Sequence, residues 1–174
     1  MRRKKYLVIL SAGLLAFSGC KKIEQLPAEP NVKFTSFAVF DTTDILGNSS
    51  KGGRLKFYFE DGDGNLGLPE PSATDEDTTN LFLVLYRKTN GQMVIADSND
   101  PLKPSPYRIP YMTRTGINKI LKGTISVTFV YLFWSPSDTI KYDFYIKDRD
   151  NNISNTDSTS EIILNVNDVY KNPE

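Results

Sequence analysis

The segment Asp61-Gly62-Asp63-Gly64-Asn65-Leu66-Gly67 alternates oxygen-bearing side chains with glycines. Such a loop can wrap a hard cation, because glycine permits the tight path and calcium accepts six to eight oxygens in flexible geometry. A second run, Asp148-Arg149-Asp150-Asn151-Asn152, repeats the alternation. Asp61, Asp63, Asn65, Asp148, Asp150 and Asn152 are the candidate calcium ligands. The comparison with an EF-hand fails in detail. Leu66 occupies the sixth position, where glycine is needed, and Ser72 the twelfth, where a bidentate glutamate is needed. Turn chemistry is the competing account, since Asp, Asn and Gly supply positive φ and side-chain caps without any ligand. Arg149 and nearby lysines would then balance the carboxylates. Asp75, Glu76 and Asp77 add negative charge to the first loop.

Other chemistry is constrained by what is missing. The chain has no histidine and one cysteine. The commonest general base and the commonest metal ligand are therefore gone, which argues against zinc and copper sites of the usual kind. A carboxylate pair, as in glycosidases, or a serine with a lysine remains for catalysis, and no motif selects such a pair. The expectation is a non-catalytic protein, with a polysaccharide hydrolase as the alternative. The aromatics Tyr107, Tyr111 and Trp134 are candidates for stacking on a glycan or anchoring a protein partner. The chain balances 21 basic against 21 acidic residues, and without Arg2, Arg3, Lys4 and Lys5 the count becomes 17 against 21. A net charge near −4 argues against a nucleic-acid partner and against a polybasic grip on lipid headgroups.

The cysteine closes a leader. Four cationic residues, Arg2 to Lys5, precede the apolar run Tyr6–Phe17, and Ser18-Gly19-Cys20 follows. This order describes a secretory signal peptide, and the run is shorter than the roughly 20 residues a spanning helix needs. Phe17-Ser18-Gly19-Cys20 resembles the lipobox of bacterial lipoproteins, with Phe17 in place of the usual Leu or Val. The resemblance implies cleavage before Cys20, a diacylglyceryl group on its thiol and acylation of the new amino terminus. Two or more chains anchor firmly, at about 0.8 kcal/mol per buried methylene. An ordinary signal peptide with an incidental cysteine is the alternative. Lys21 after the anchor, rather than Asp, is compatible with the outer membrane and leaves the periplasmic or surface face open.

The segments that must position these residues read as strands. Residues 21–31 carry Pro27 and Pro30 and form a tether. From Val32 the pattern has period two. Leu55, Phe57 and Phe59 alternate with polar neighbours, as do Ile125 to Tyr131, Ile140 to Ile146 and Ile162 to Val166. Such alternation places one face on a core and the other toward water. Further strands are expected at Val32–Phe40, Leu81–Lys88 and Gln92–Ala96, with Asn90-Gly91 as a two-residue hairpin turn. Four prolines between Pro101 and Pro110 restrict that stretch to loop or edge strand, and Thr115–Leu121 has room for one helical turn. Seven or eight short strands predict an antiparallel immunoglobulin-like β-sandwich over 32–170. In that wiring the two acidic runs follow strands B and F and lie at one end. Tyr142, two residues before Phe144, fits either a tyrosine corner or a half-buried strand aromatic.

The segment order resembles a group of uncharacterised Bacteroidetes lipoproteins. The residues that carry it are Pro27-Ala-Glu-Pro-Asn-Val-Lys-Phe34, Leu55-Lys-Phe-Tyr-Phe-Glu-Asp-Gly-Asp-Gly-Asn-Leu-Gly-Leu68 and Tyr107-Arg-Ile-Pro-Tyr111. The resemblance implies an anchored sandwich and no particular activity. Three functions follow from these readings. One is a non-catalytic envelope module that binds a glycan or protein. Another is a calcium-rigidified spacer or subunit of an envelope complex. The third is the hydrolase.

Overall fold

A computed structural model describes residues 25–74, 78–113 and 119–172. The leader, Cys20, Asp75 to Asp77 and most of the expected helical turn at 115–121 lie outside the described residues, and Leu121 itself opens a strand. The fold is all-β. The strands are β1 (Asn31–Thr43), β2 (Ser49–Asp61), β3 (Leu81–Thr89), β4 (Gln92–Ile95), β5 (Leu121–Tyr131), β6 (Thr139–Ile146), β7 (Asp157–Ser158), β8 (Ile162–Ile163) and β9 (Val169–Lys171). They form two antiparallel sheets. One runs β5-β2-β1-β9; the other runs β4-β3-β6-β7, with β8 also on β6. This is the expected sandwich, with nine strands among the described residues rather than seven or eight. The strands run from Asn31 to Lys171.

Period-two patterning explains the core. Leu55, Phe57 and Phe59 of β2 and Ile140, Tyr142, Phe144 and Ile146 of β6 all point inward and are buried. Phe57 meets Phe144 across the sheets at 5.0 Å between ring centroids. β1 changes parity. Val32 and Phe34 are buried in its first half, Phe37 and Val39 in its second, and the register with β2 shifts between Phe34 and Ser36. One inserted residue lets both halves face the core, which is what a β-bulge does. Asn90 and Gly91, with φ of 52° and 81°, form the β3–β4 turn as the dipeptide predicts.

Three expectations about strands need correction. The strand at 162–166 is only Ile162–Ile163, because the chain turns at Val166, whose amide donates to the Ile163 carbonyl, leaving Val166 exposed. Gln92–Ala96 ends at Ile95. Tyr142 is neither a half-buried strand aromatic nor a corner closing on residues just upstream. It is fully buried, 3.1 Å from the Tyr131 hydroxyl, and donates to the Leu102 carbonyl, 40 residues away, at 3.4 Å.

That pair has a consequence for pH. Burial pushes the Tyr131 and Tyr142 phenols above the ordinary tyrosine value of 10.0. The unfolded chain ionises them first, so it binds fewer protons than the folded chain above that pH. Stability is therefore intact below pH 10 and falls as pH rises toward the folded values. Each phenol removes about 1 kcal/mol by one pH unit above 10. Urea midpoints at pH 9 and about pH 11 should fall less in Tyr131→Phe than in the parent protein. Equal falls would exclude this source of alkaline sensitivity.

Pairing also seals an edge. β9 covers β1 only at Ser36 to Ala38. Beyond it, the Asn155 side-chain oxygen accepts from the Val32 amide at 2.8 Å, its Nδ2 donates to the Val32 carbonyl at 2.9 Å, and Asp157 accepts from the Phe34 amide at 2.6 Å.

Candidate functional site at the tether end

β1 begins at Asn31 opposite Glu60 and ends at Thr43 opposite Ser49, which gives the sandwich two distinct ends. At about 3.3 Å per residue, its 13 residues separate them by roughly 40 Å. The tether joins at the end that carries both acidic loops. Gly62 donates to the Pro27 carbonyl at 3.1 Å, and a Cβ on Gly62 would stand 2.1 Å from that oxygen. The last tether residues are thus packed on the first loop rather than merely extended from it.

Each loop is built around one buried carboxylate. Asp61 accepts from the amides of Gly64 at 3.2 Å and Leu66 at 2.7 Å. Asp148 accepts from the amides of Asp150 at 2.9 Å and Asn152 at 2.8 Å, and from Asn152 Nδ2 at 2.8 Å. These bonds are what positions i+2 to i+5 after an Asp supply in a tight loop, and they are the turn chemistry expected as the competing account. Gly64 and Gly67 have φ of 67° and 92°, and Asn151 has 68°. At Gly67 a Cβ would lie 2.4 Å from the Pro110 carbonyl, so the strand-like 108–111 segment can approach only a glycine there.

The two loops touch. Asn65 Nδ2 donates to Asp63 Oδ2 at 3.1 Å and to Asp150 Oδ2 at 2.8 Å. The six expected calcium residues therefore lie at one end, in two roles. Asp61, Asp148 and Asn152 hold their own loops, whereas Asp63, Asn65 and Asp150 form the contact between them. Burial, the adjacent Asp61 carboxylate and Asp150 push the Asp63 carboxyl above the usual carboxylate value. Arg149 does not take the balancing position expected of it. Its guanidinium donates to the Gly67 carbonyl at 2.7 Å and lies 4.8 Å from the centre of the Tyr111 ring. Among the described residues, no group of three or more Asp, Glu, His or Cys side chains stands in metal-holding geometry.

The aromatic candidates separate. Tyr111 lies over Arg149 at the tether end, and Tyr107 packs edge-on to Phe129 at 5.4 Å while its backbone pairs with Leu81. Tyr107, Ile109, Met112, Ile125 and Val127 line an apolar cleft of about 430 Å³. Trp134 is at the far end, packed against the core with Lys51 Nζ 5.3 Å from its ring centre. The three cannot form one stacking platform. The sequence reading missed the exposed apolar group at that far end. Ile45 and Leu46 at the tip of the β1–β2 hairpin adjoin Val130 and Leu132 around a shallow depression of about 410 Å³, and Phe133 is exposed beside Leu132 in the chain. Its signal was available: Ile45-Leu46 sits between Asp44 and Gly47, in a turn where no apolar residue is needed.

The class defined by this geometry is an antiparallel two-sheet β-sandwich with its loop chemistry gathered where the tether enters. No family model, curated protein or solved structure matches the chain. No helix among the described residues is long and apolar enough to cross a membrane.

Proposed function

We propose that this protein is a non-catalytic module of the bacterial cell envelope, anchored by acyl chains on Cys20 and engaging a protein partner through its distal end. The observation that carries the reading is the opposition of the two ends. The tether enters beside Asp61 and Asn31, and Ile45, Leu46, Val130, Leu132 and Phe133 are exposed at the other end. Contiguous exposed apolar groups on a soluble domain mark interaction surfaces. With cleavage before Cys20, five residues precede the described chain, a reach of about 17 Å at most. That reach is well short of the roughly 40 Å between the two ends. Four exposed aliphatic side chains and Phe133, with only Thr43 and Asp44 as polar neighbours, suit a protein better than a glycan, which favours a protein partner over the glycan reading. The hydrolase alternative gains no carboxylate pair from the Tyr107 cleft, whose polar lining is Arg108, Ser126 and Thr128. The resemblance to Bacteroidetes lipoproteins and an outer-membrane position belong to the same proposal.

The test is made in native cells. Cys20→Ser should remove acylation, seen as loss of the lipidated amino-terminal peptide by mass spectrometry, and should shift the protein out of the membrane fraction by tenfold or more. A photocrosslinker at Leu46 should give a discrete polypeptide adduct that the same probe at Glu70 does not. An intact, unmodified leader on a soluble product would overturn the anchor. A lone monomer from both probes would overturn the distal partner.

A further inference from the structure

We propose that the outer face of the β5-β2-β1-β9 sheet is a docking surface for an acidic polysaccharide, one whose sugars carry carboxylate or phosphate groups. Strand register places the residues. Lys56 of β2 stands between Ser126 of β5 and Ser36 of β1, and Lys171 of β9 stands beyond Ser36. One row toward the distal end, Arg54 lies between Thr128 and Ala38. One row toward the tether, Tyr58 lies between Thr124 and Lys33. Lys33, Arg54, Lys56 and Lys171 are all exposed. At about 4.8 Å between strands and 3.4 Å per residue, their backbones fall within a rectangle of roughly 10 by 14 Å. The β1 bulge contributes to this grouping. Unbroken alternation would put Lys33 and Ser36 on opposite faces, and the register shift between Phe34 and Ser36 keeps them on one.

The charge on this face is segregated and unneutralised. Its outward strand positions hold five cations, these four and Lys122, and one acid, Glu60. The remaining positions of the chain hold 16 cations and 20 acids. Glu60 is already engaged, with Lys122 at 3.3 Å and the Tyr58 hydroxyl donating to it at 3.0 Å. Among the described residues, Lys33, Lys56 and Lys171 have no ion-pair partner. Arg54 has a long contact of 3.4 Å to the Thr128 hydroxyl and lies 5.4 Å from the centre of the Phe40 ring. The other sheet differs, since Lys88 pairs there with Glu161 and Lys141 with Asp143. Cations this close repel one another, and a polyanion laid across them removes that repulsion.

The neighbours of the cations select the polyanion. Ser36, Thr124, Ser126 and Thr128 are small and hydroxylated, and each both donates and accepts, as sugar hydroxyls require. A protein interface needs an apolar centre, and the only aliphatic neighbours in these rows are Ala38 and Val169. A bilayer surface is met by large apolar side chains that enter the headgroup boundary, and those are at the distal end instead. This face is separate from the distal apolar group, and the inference does not rest on the anchor.

The test uses the purified full chain in neutral detergent, with polygalacturonate as the acidic polysaccharide and dextran as its neutral counterpart. Calorimetry should show binding of polygalacturonate and none of dextran. Binding should fall steeply as salt rises, because release of counter-ions from the polyanion drives it. Arg54→Glu with Lys56→Glu should weaken it by roughly tenfold or more, and Lys33→Ser with Lys171→Ser, which adds no negative charge, should weaken it in the same direction. Lys88→Glu with Lys103→Glu makes the same change in net charge on the other sheet and should leave binding near that of the parent. Thermal melting checks that each pair remains folded. No binding of polygalacturonate by the parent chain, or equal weakening by the control pair, would overturn the proposal. So would stronger displacement, charge for charge, by polyglutamate or by phosphatidylglycerol added to the micelles, since either would assign the face to an acidic protein or to a bilayer.

Discussion

Phe37→Ala is expected to cost about 3–5 kcal/mol of unfolding free energy, a large share of the stability of a domain this size. Phe37 is fully buried and stacks on Phe129 and Tyr142, each at 6.0 Å between centroids. On its other side is Gly53, where a Cβ would stand 2.5 Å from the Phe37 ring. Glycine offers no side chain to lean into the gap. The space left by the ring cannot close by rotamer changes in β2, so the cavity cost remains in full. Conversely, Gly53→Ala in the parent protein should destabilise by about 1–3 kcal/mol, because the ring has no room to move. The double substitution should cost less than the sum, since the new methyl enters space the ring vacated, although the Tyr131 ring still stands 2.8 Å from it. Urea unfolding with an unchanged m-value measures all three. A cost for Phe37→Ala below about 1 kcal/mol would show that the core relaxes around the site.

The second large effect is electrostatic. Arg87 of β3 reaches two carboxylates from different loops. Its Nη1 donates to Asp100 at 3.1 and 3.3 Å, and its Nη2 donates to Asp138. Both carboxylates are mostly buried and also hold backbone: Asp100 accepts from Leu102, Asp138 from Ser135. Arg87→Met keeps the stem and removes the fork. It leaves two desolvated negative groups facing each other, and a loss of about 3–5 kcal/mol is expected. Lys88, its neighbour in sequence, pairs with Glu161 in solvent, so Lys88→Met should change stability by less than about 1 kcal/mol. Two adjacent cations in one strand thus differ because one bridges buried partners and the other does not. Similar urea midpoints for Arg87→Met and Lys88→Met would refute that account.

Legibility followed the length of each element and the range of the interaction. β2 and β6 were readable because three and four inward apolar residues, respectively, repeat at period two. β7, β8 and β9 have two or three residues each, too few for any period to emerge, and long-range pairing alone creates them. The bulge in β1 hid the switch from Phe34 to Phe37, since alternation broken by one residue reads as a plain apolar run. The meeting of the acidic loops was readable from wiring. Their division of labour was not, because Asp61 and Asp63 look alike until backbone amides are assigned to one and Asn65 to the other.

Under the proposed anchoring at Cys20, the Asn155 and Asp157 caps on β1 acquire weight, because many copies would share one bilayer. Confinement to a plane raises the encounter frequency of neighbouring domains far above that in solution. An open ladder on β1 would let one copy extend the sheet of the next, and the array would grow without a stopping point. The amide of Asn155 satisfies both backbone groups of Val32, and the carboxylate of Asp157 occupies the Phe34 amide, so an approaching strand finds those positions taken. Sheet-to-sheet growth along this edge is thereby blocked at Val32 and Phe34.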